Sequence, residues 1–132
     1  MTKKRTFKNC AIFSMGGLVY CAVEILWRGY THWSMLLTGG CCCVVLIRVF
    51  EKVSNLRTYS KCIIGSGIIT LIEFISGCIF NIWLKLGVWD YSNMPLNVLG
   101  QICPLYSAFW ALLSIPLIKG CSLINSKNSI SK

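Results

Sequence analysis

Cys62-Ile63-Ile64-Gly65-Ser66-Gly67-Ile68-Ile69-Thr70-Leu71-Ile72-Glu73-Phe74-Ile75-Ser76-Gly77-Cys78-Ile79-Phe80-Asn81-Ile82-Trp83-Leu84 decides the architecture. A helix needs about 20 predominantly apolar residues to cross the hydrocarbon core of a bilayer, and this stretch supplies them. Its single charge, Glu73, stands at the midpoint. Three further runs have the same character. The first extends from Cys10 to about Trp27 and is broken only by Glu24. The second is uncharged from Trp33 to Ile47, and Val49 and Phe50 prolong it if Arg48 and Lys52 snorkel to the interface. The last lies within the uncharged stretch Tyr91 to Ile118, where Pro95 suits the first turn of a helix. The expected spans are residues 10–28, 33–51, 62–85 and 95–118, between a basic segment 1–9 and a polar tail 120–132. The first run is read as a retained span, because it is too long for a cleaved leader and no Ala-x-Ala follows it.

Composition excludes the alternatives. Hydrophobic residues make up 55% of the 132-residue chain and charged residues 13%, where a soluble domain carries about 25% charged residues. Four acids cannot help 13 bases coat a globule. A soluble enzyme, a disordered tail and a secreted disulfide scaffold are all disfavoured. Nor does the net charge of +9 point to nucleic acid, since the bases lie between apolar runs rather than along one amphipathic face.

Those bases report orientation. Lys3, Lys4, Arg5 and Lys8, then Arg48, Lys52, Arg57 and Lys61, then Lys119, Lys127 and Lys132 fall on one side. Only Arg28 and Lys85 fall on the other. The positive-inside rule makes both termini cytoplasmic. Trp27, Tyr30, Trp33, Trp83, Trp89 and Tyr91 then form an aromatic belt at the outer interface. The nine cysteines include the run Cys41-Cys42-Cys43, whose side chains fan around a helix. With no Cys-x-x-Cys and a single His, the cysteines read as small packing residues; no metal and no cofactor is expected.

An internal repeat is visible. Gly16-Gly17-Leu18-Val19-Tyr20-Cys21-Ala22-Val23-Glu24 aligns with Gly65-Ser66-Gly67-Ile68-Ile69-Thr70-Leu71-Ile72-Glu73 at an offset of 49. Downstream, Met35-Leu36-Leu37-Thr38-Gly39-Gly40 echoes Met94-Pro95-Leu96-Asn97-Val98-Leu99-Gly100 with one residue inserted. Each half would be a hairpin that returns the chain to its starting side. The expected fold is therefore all-α: a polytopic membrane protein of four transmembrane helices, arranged as two parallel-repeat hairpins.

Glu24 and Glu73 are the residues able to carry chemistry. A carboxylate at membrane depth costs several kcal/mol unless neutralised, paired or hydrated. Helical spacing puts Ser66, Thr70, Glu73, Gly77 and Asn81 on one stripe of span three. Gly17, Tyr20, Cys21, Glu24 and Arg28 form a second stripe, and Asn97, Gly100, Gln101, Pro104, Ala108 and Ala111 a third on span four. Small and polar stripes let membrane helices approach and satisfy one another. Two readings follow. In one, Glu73, Glu24, Ser66, Thr70, Asn81, Asn97 and Gln101 line a substrate or ion pathway. In the other, Glu24 pairs with Arg28 at i+4 and Glu73 bonds Gln101 or Asn97 structurally. The outer loop Trp89-Asp90-Tyr91-Ser92 reads either as an interfacial anchor or as a ligand gate.

That loop also carries a resemblance. Trp89-Asp90-Tyr91-Ser92-Asn93-Met94-Pro95-Leu96-Asn97-Val98-Leu99-Gly100-Gln101-Ile102-Cys103, followed by Ser107 and Trp110, resembles the signature of the CmpB-type putative ABC transporter permease family. His32-Trp33-Ser34-Met35 with Gly39-Gly40, and Ile68 to Gly77, extend the likeness over roughly residues 15 to 115. Where shorter members carry an Asp-Asp pair after the last span, this chain has Lys119-Gly120-Cys121. The resemblance implies a small transport-related subunit of the bacterial cytoplasmic membrane. Four helices are few for a pathway, so a homo-oligomer or a larger membrane complex is expected. Gly65-Ser66-Gly67 lies in a span without the Lys-Ser/Thr of a phosphate loop, so any ATPase would be a separate chain. A non-transport scaffold or small oligomeric pore is the alternative. An intramembrane enzyme lacks a catalytic constellation.

Overall fold

The structure, a computed structural model, describes residues 3–130, with side chains through Leu123. Its elements are α1 (Lys3–Arg28), α2 (Trp33–Lys52), α3 (Thr58–Gly77), a π-helical continuation of α3 (Cys78–Trp83), and α4 (Pro104–Ile130). Four helices are long and apolar enough to cross a membrane, with 18-residue windows of mean hydropathy between 1.3 and 2.0.

Local chemistry sets the ends. α1 stops at Gly29, whose φ of 84° is a left-handed conformation that only glycine adopts without strain; its N–H bonds the Ile25 carbonyl at 2.8 Å. His32 caps α2, its Nδ1 accepting from the Ser34 N–H at 3.2 Å and lying 2.8 Å from the Ser34 hydroxyl. The short turn forces α1 and α2 into a hairpin. Glycines bring them close: a Cβ on Gly17 would meet the Leu36 carbonyl at 2.6 Å, and one on Gly40 would meet Phe13 at 2.8 Å. Pro116 sits inside α4 and removes one ladder bond.

α2 is the central element. It packs on α1, α3 and α4, and α3 packs on α4. One core cluster joins Cys42, Leu46 and Phe50 of α2 to Ile69 of α3 and to Trp110 and Ile118 of α4. A second joins Met35 of α2 to Val88 and Trp89 of the long α3–α4 connection.

Three expectations about boundaries require correction. The fourth helix begins at Pro104, not at residue 95. Residues 95–103 form a compact turn instead, because Leu96, Leu99 and Gly100 take left-handed φ values of 59°, 54° and 73°. The Asn97 side chain holds that turn from within. Its amide donates to the Met94 carbonyl at 2.8 Å and its oxygen accepts from the Gly100 N–H at 3.0 Å. At the other boundaries, helix continues where separate segments were expected: α1 starts at Lys3 within the basic segment, and α4 runs on to Ile130 through the polar tail.

The aromatic belt is also divided. Trp27, Tyr30, Trp33 and Trp83 are exposed on the bundle surface. Trp89 is buried and Tyr91 half-buried, because each has a polar partner inside.

Candidate functional site

Glu73 sits on the buried face of α3 with 4% of its surface exposed. Its neighbours at i−4 and i+4, Ile69 and Gly77, are buried too, so helical periodicity aims the carboxylate at the bundle interior. The hydroxyl of Tyr91 donates to Oε1 at 2.8 Å and the indole N–H of Trp110 donates to Oε2 at 3.0 Å. These donors, rather than the Gln101 or Asn97 that spacing suggested, hold the carboxylate. Tyr91 reaches it from the α3–α4 connection and Trp110 from α4. Three elements therefore meet on one side chain.

The remainder of the α3 stripe continues the polar line in both directions. Towards the start of α3, Ser66 donates to the Ser107 carbonyl at 2.6 Å, and the Thr70 and Ser107 hydroxyls share a hydrogen bond of 2.8 Å. Beyond Glu73, Gly77 leaves room for Gln101, whose Oε1 stands where a Cβ would go. That oxygen accepts from the Asn81 amide at 2.8 Å, and Gln101 Nε2 donates to the Leu99 carbonyl at 2.9 Å. Asn81 Oδ1 accepts the Val88 N–H at 2.7 Å. From Ser66 to Asn81 this column rises roughly 22 Å at the helical rise per residue.

Glu24 and Glu73 lie within electrostatic reach of each other, with Tyr20 in reach of both. Glu24 is matched by Arg28 at 2.9 Å, the i,i+4 pair read from the sequence. The two charges are only partly exposed, so the ion pair supplies the neutralisation that a carboxylate needs at this depth. Arg28 Nη2 also donates to the Val88 carbonyl at 3.1 Å, which ties α1 to the α3–α4 connection.

The Trp89-Asp90-Tyr91-Ser92 motif closes the end of the column beyond Asn81. Trp89 Nε1 donates to the Gln101 carbonyl at 3.0 Å, and the Tyr91 N–H to the Gly100 carbonyl at 2.7 Å. The Tyr91 ring stacks on Tyr106 with centroids 4.6 Å apart. Exposed Asp90 accepts the Ser92 N–H at 2.9 Å, and bonds from Ser92 hold its carboxyl below the usual carboxylate range. Burial, reinforced by Glu73, pushes the Tyr91 phenol up from its ordinary value. Tyr91 is thus fixed as a neutral donor.

Some predicted site residues lie elsewhere. Asn97 belongs to the turn scaffold and does not approach Glu73. On α4, Pro104 and Ala108 are exposed and Ala111 is only half-buried; the inward stripe is Ser107, Trp110, Ser114 and Ile118. The small-residue pattern misread the register, because the wide gap opposite α2 and α3 is filled by an indole. Ser107, Trp110 and Ser114, at i, i+3 and i+7, were the signal available.

A surface cavity of about 460 Å³ lies between α1 and α2 and another of about 200 Å³ at the basic end, and Glu73 lines neither of these two. Among the described residues no group of three or more His, Cys, Asp or Glu could hold a metal.

No curated protein and no solved structure matches the chain. The family model described as "Putative ABC-transporter type IV", of the CmpB type, matches residues 9–131, which takes in all four helices and the loop motif, and the chain belongs to that family.

Proposed function

We propose that this multi-pass membrane protein is a permease-like subunit of a transport system, with the polar column centred on Glu73 as its proton or cation site. The observation that carries the reading is a buried carboxylate held jointly by the α3–α4 connection and α4. Charge on Glu73 strengthens both hydrogen bonds. Protonation or a bound cation weakens at least one of them, and so couples occupancy to release of the Tyr91 segment. Glu24, Ser66, Thr70, Asn81 and Gln101 extend the same polar line. Energy would come from a separate ATPase, and two or more copies would complete the pathway in a bacterial cytoplasmic membrane, with both termini inside.

The test is ion flux or uptake in reconstituted vesicles, with and without a co-expressed ATPase, comparing wild type with Glu73→Gln and Tyr91→Phe. The reading predicts abolished flux for Gln in a protein that stays folded, and altered gating for Phe. Unchanged flux in both variants overturns it. A scaffold or small pore is the second reading. It is favoured by one observation: protein donors already occupy both Glu73 oxygens. Under that reading Gln is nearly silent.

A further inference from the structure

The cavity of about 200 Å³ lies far from Glu73, at the end of the bundle that carries the basic α2–α3 connection. Phe50 of α2, Ser54 of the connection, Lys61 of α3, and Ile118, Cys121 and Ser122 of α4 line it. Its composition is specific in kind: a cation and two hydroxyls around a floor of two buried apolar side chains, Phe50 and Ile118.

Lys61 is half-buried here, and among the described residues no carboxylate pairs with it. Only four acids exist. Glu24, Glu73 and Asp90 belong to the column and the α3–α4 connection. Glu51 lies near this end, within electrostatic reach of Cys121 as Lys61 is, but its carboxylate pairs with Arg48 at 3.2 Å. Among the described residues Lys61 has no ion pair. Lys8 also lies within electrostatic reach of Cys121 and adds to the positive field. A partly desolvated ammonium in an open polar cavity calls for an anion from outside. Ser54 and Ser122 can add O–H donors to it. The donor set suits tetrahedral oxyanions, and its place at the end of four membrane-length helices suits one carried on a lipid headgroup.

We propose that this cavity binds the phosphate oxyanion of an anionic phospholipid, with Lys61 as its counter-charge, Ser54 and Ser122 as hydroxyl donors, and the acyl chains outside against the lipid-facing helices. Basic pockets between membrane helices on the cytoplasmic side are suited to such headgroups. The assignment does not depend on the role of Glu73.

The experiment uses the full chain in detergent, titrated with phosphatidylglycerol, phosphatidylcholine or inorganic phosphate. Native mass spectrometry reads lipid adducts and thermal unfolding reads stabilisation. Phosphatidylglycerol should bind and raise the unfolding midpoint, with phosphatidylcholine much weaker. Lys61→Gln should weaken phosphatidylglycerol binding by about tenfold, against no more than about fivefold for an exposed lysine at the same end, Lys119→Gln, since one surface lysine contributes about 1 kcal/mol to anionic-lipid attraction. Lys61→Arg should largely restore binding. The Ser54→Ala/Ser122→Ala pair leaves the charge unchanged and should still weaken binding, so the proposal stays testable even if Lys61→Gln fails to fold. Equal binding by wild type, the serine pair and Lys61→Gln would mean a diffuse basic surface and overturns the site. If inorganic phosphate alone stabilises the protein and phosphatidylglycerol adds nothing, the occupant is free phosphate and the lipid assignment falls.

Discussion

Glu73 fastens the α3–α4 connection and α4 to α3 through two hydrogen bonds, and the consequences of changing it follow from the donors left behind. Glu73→Leu strands the Tyr91 hydroxyl and the Trp110 N–H in a buried place. Each orphaned donor costs about 1–3 kcal/mol, so the variant should lose about 2–6 kcal/mol in detergent unfolding. Glu73→Gln retains one acceptor oxygen and should lose less than half as much. Trp110→Phe removes one donor while keeping an aromatic body against Tyr20; it leaves Glu73 Oε2 without that donor and should cost about 1–3 kcal/mol. A Trp110→Phe cost equal to that of Glu73→Leu would show that packing, not hydrogen bonding, dominates there. Asp90 supplies a pH test outside the membrane. Its folded value is lowered, so its contribution to loop order is fully present above about pH 4, the ordinary aspartate value, and fades as pH falls through the lowered one. Protection of the Ser92 amide, corrected for the intrinsic exchange rate, should fall in wild type as pH drops through the lowered value; Asp90→Ala should be less protected above about pH 4 and converge with wild type in acid.

At the scale of elements, the face of α3 is decided by glycine. Gly77 has no room for a Cβ, because Gln101 occupies it, whereas Gly67 faces open space. Gly77→Ala should therefore expel Gln101 from Asn81 and lower stability by about 1–3 kcal/mol, the range for overpacking. Gly67→Ala in the same helix should be neutral or stabilising by up to about 1 kcal/mol. Matched unfolding midpoints for the two variants would contradict the packing seen here. The π-helical turns after Gly77 serve the same contact. They widen the helix, so that Leu84 N–H bonds the Ile79 carbonyl at 2.9 Å and Asn81 is turned toward Val88. Leucines at positive φ in the following turn carry strain of order 1–3 kcal/mol each. Leu96 is 83% exposed and sacrifices almost no packing, so Leu96→Gly should raise the unfolding midpoint rather than lower it.

For the whole molecule, the two hairpins are unequal. The first turns within residues 29–32, while the second carries the long connection 84–103 that packs back over the bundle. We infer from the offset of 49 that the halves descend from one hairpin, and from the eleven-to-two distribution of Lys and Arg that both termini are cytoplasmic. Residues 13–50 should superpose on 62–118 by rotation near the membrane normal, once the inserted connection is set aside. Maleimide labelling of a cysteine placed at position 57, in a background freed of native cysteines, should occur from the inner side only. Reaction solely from outside would reverse the topology.

Four membrane-length helices and the inward faces of the first and third were legible in the chain. The physical reason is that a bilayer demands long uncharged runs, and that one carboxylate or one Gly-Gly pair among apolar residues marks a face by 3.6-residue spacing alone. The Glu24–Arg28 pair was legible for the same reason, being local to one helix. Contacts between segments distant in sequence were not. Tyr91 is separated from Glu73 by 18 positions and Trp110 by 37, and only the turn built on Asn97 and three positive-φ residues brings the first of them inward. A proline at 95 suggested a helix start that this turn pre-empted. The register of α4 was settled by the volume of an indole against Tyr20 and Glu73, a quantity that exists only once α1, α3 and α4 have been brought together.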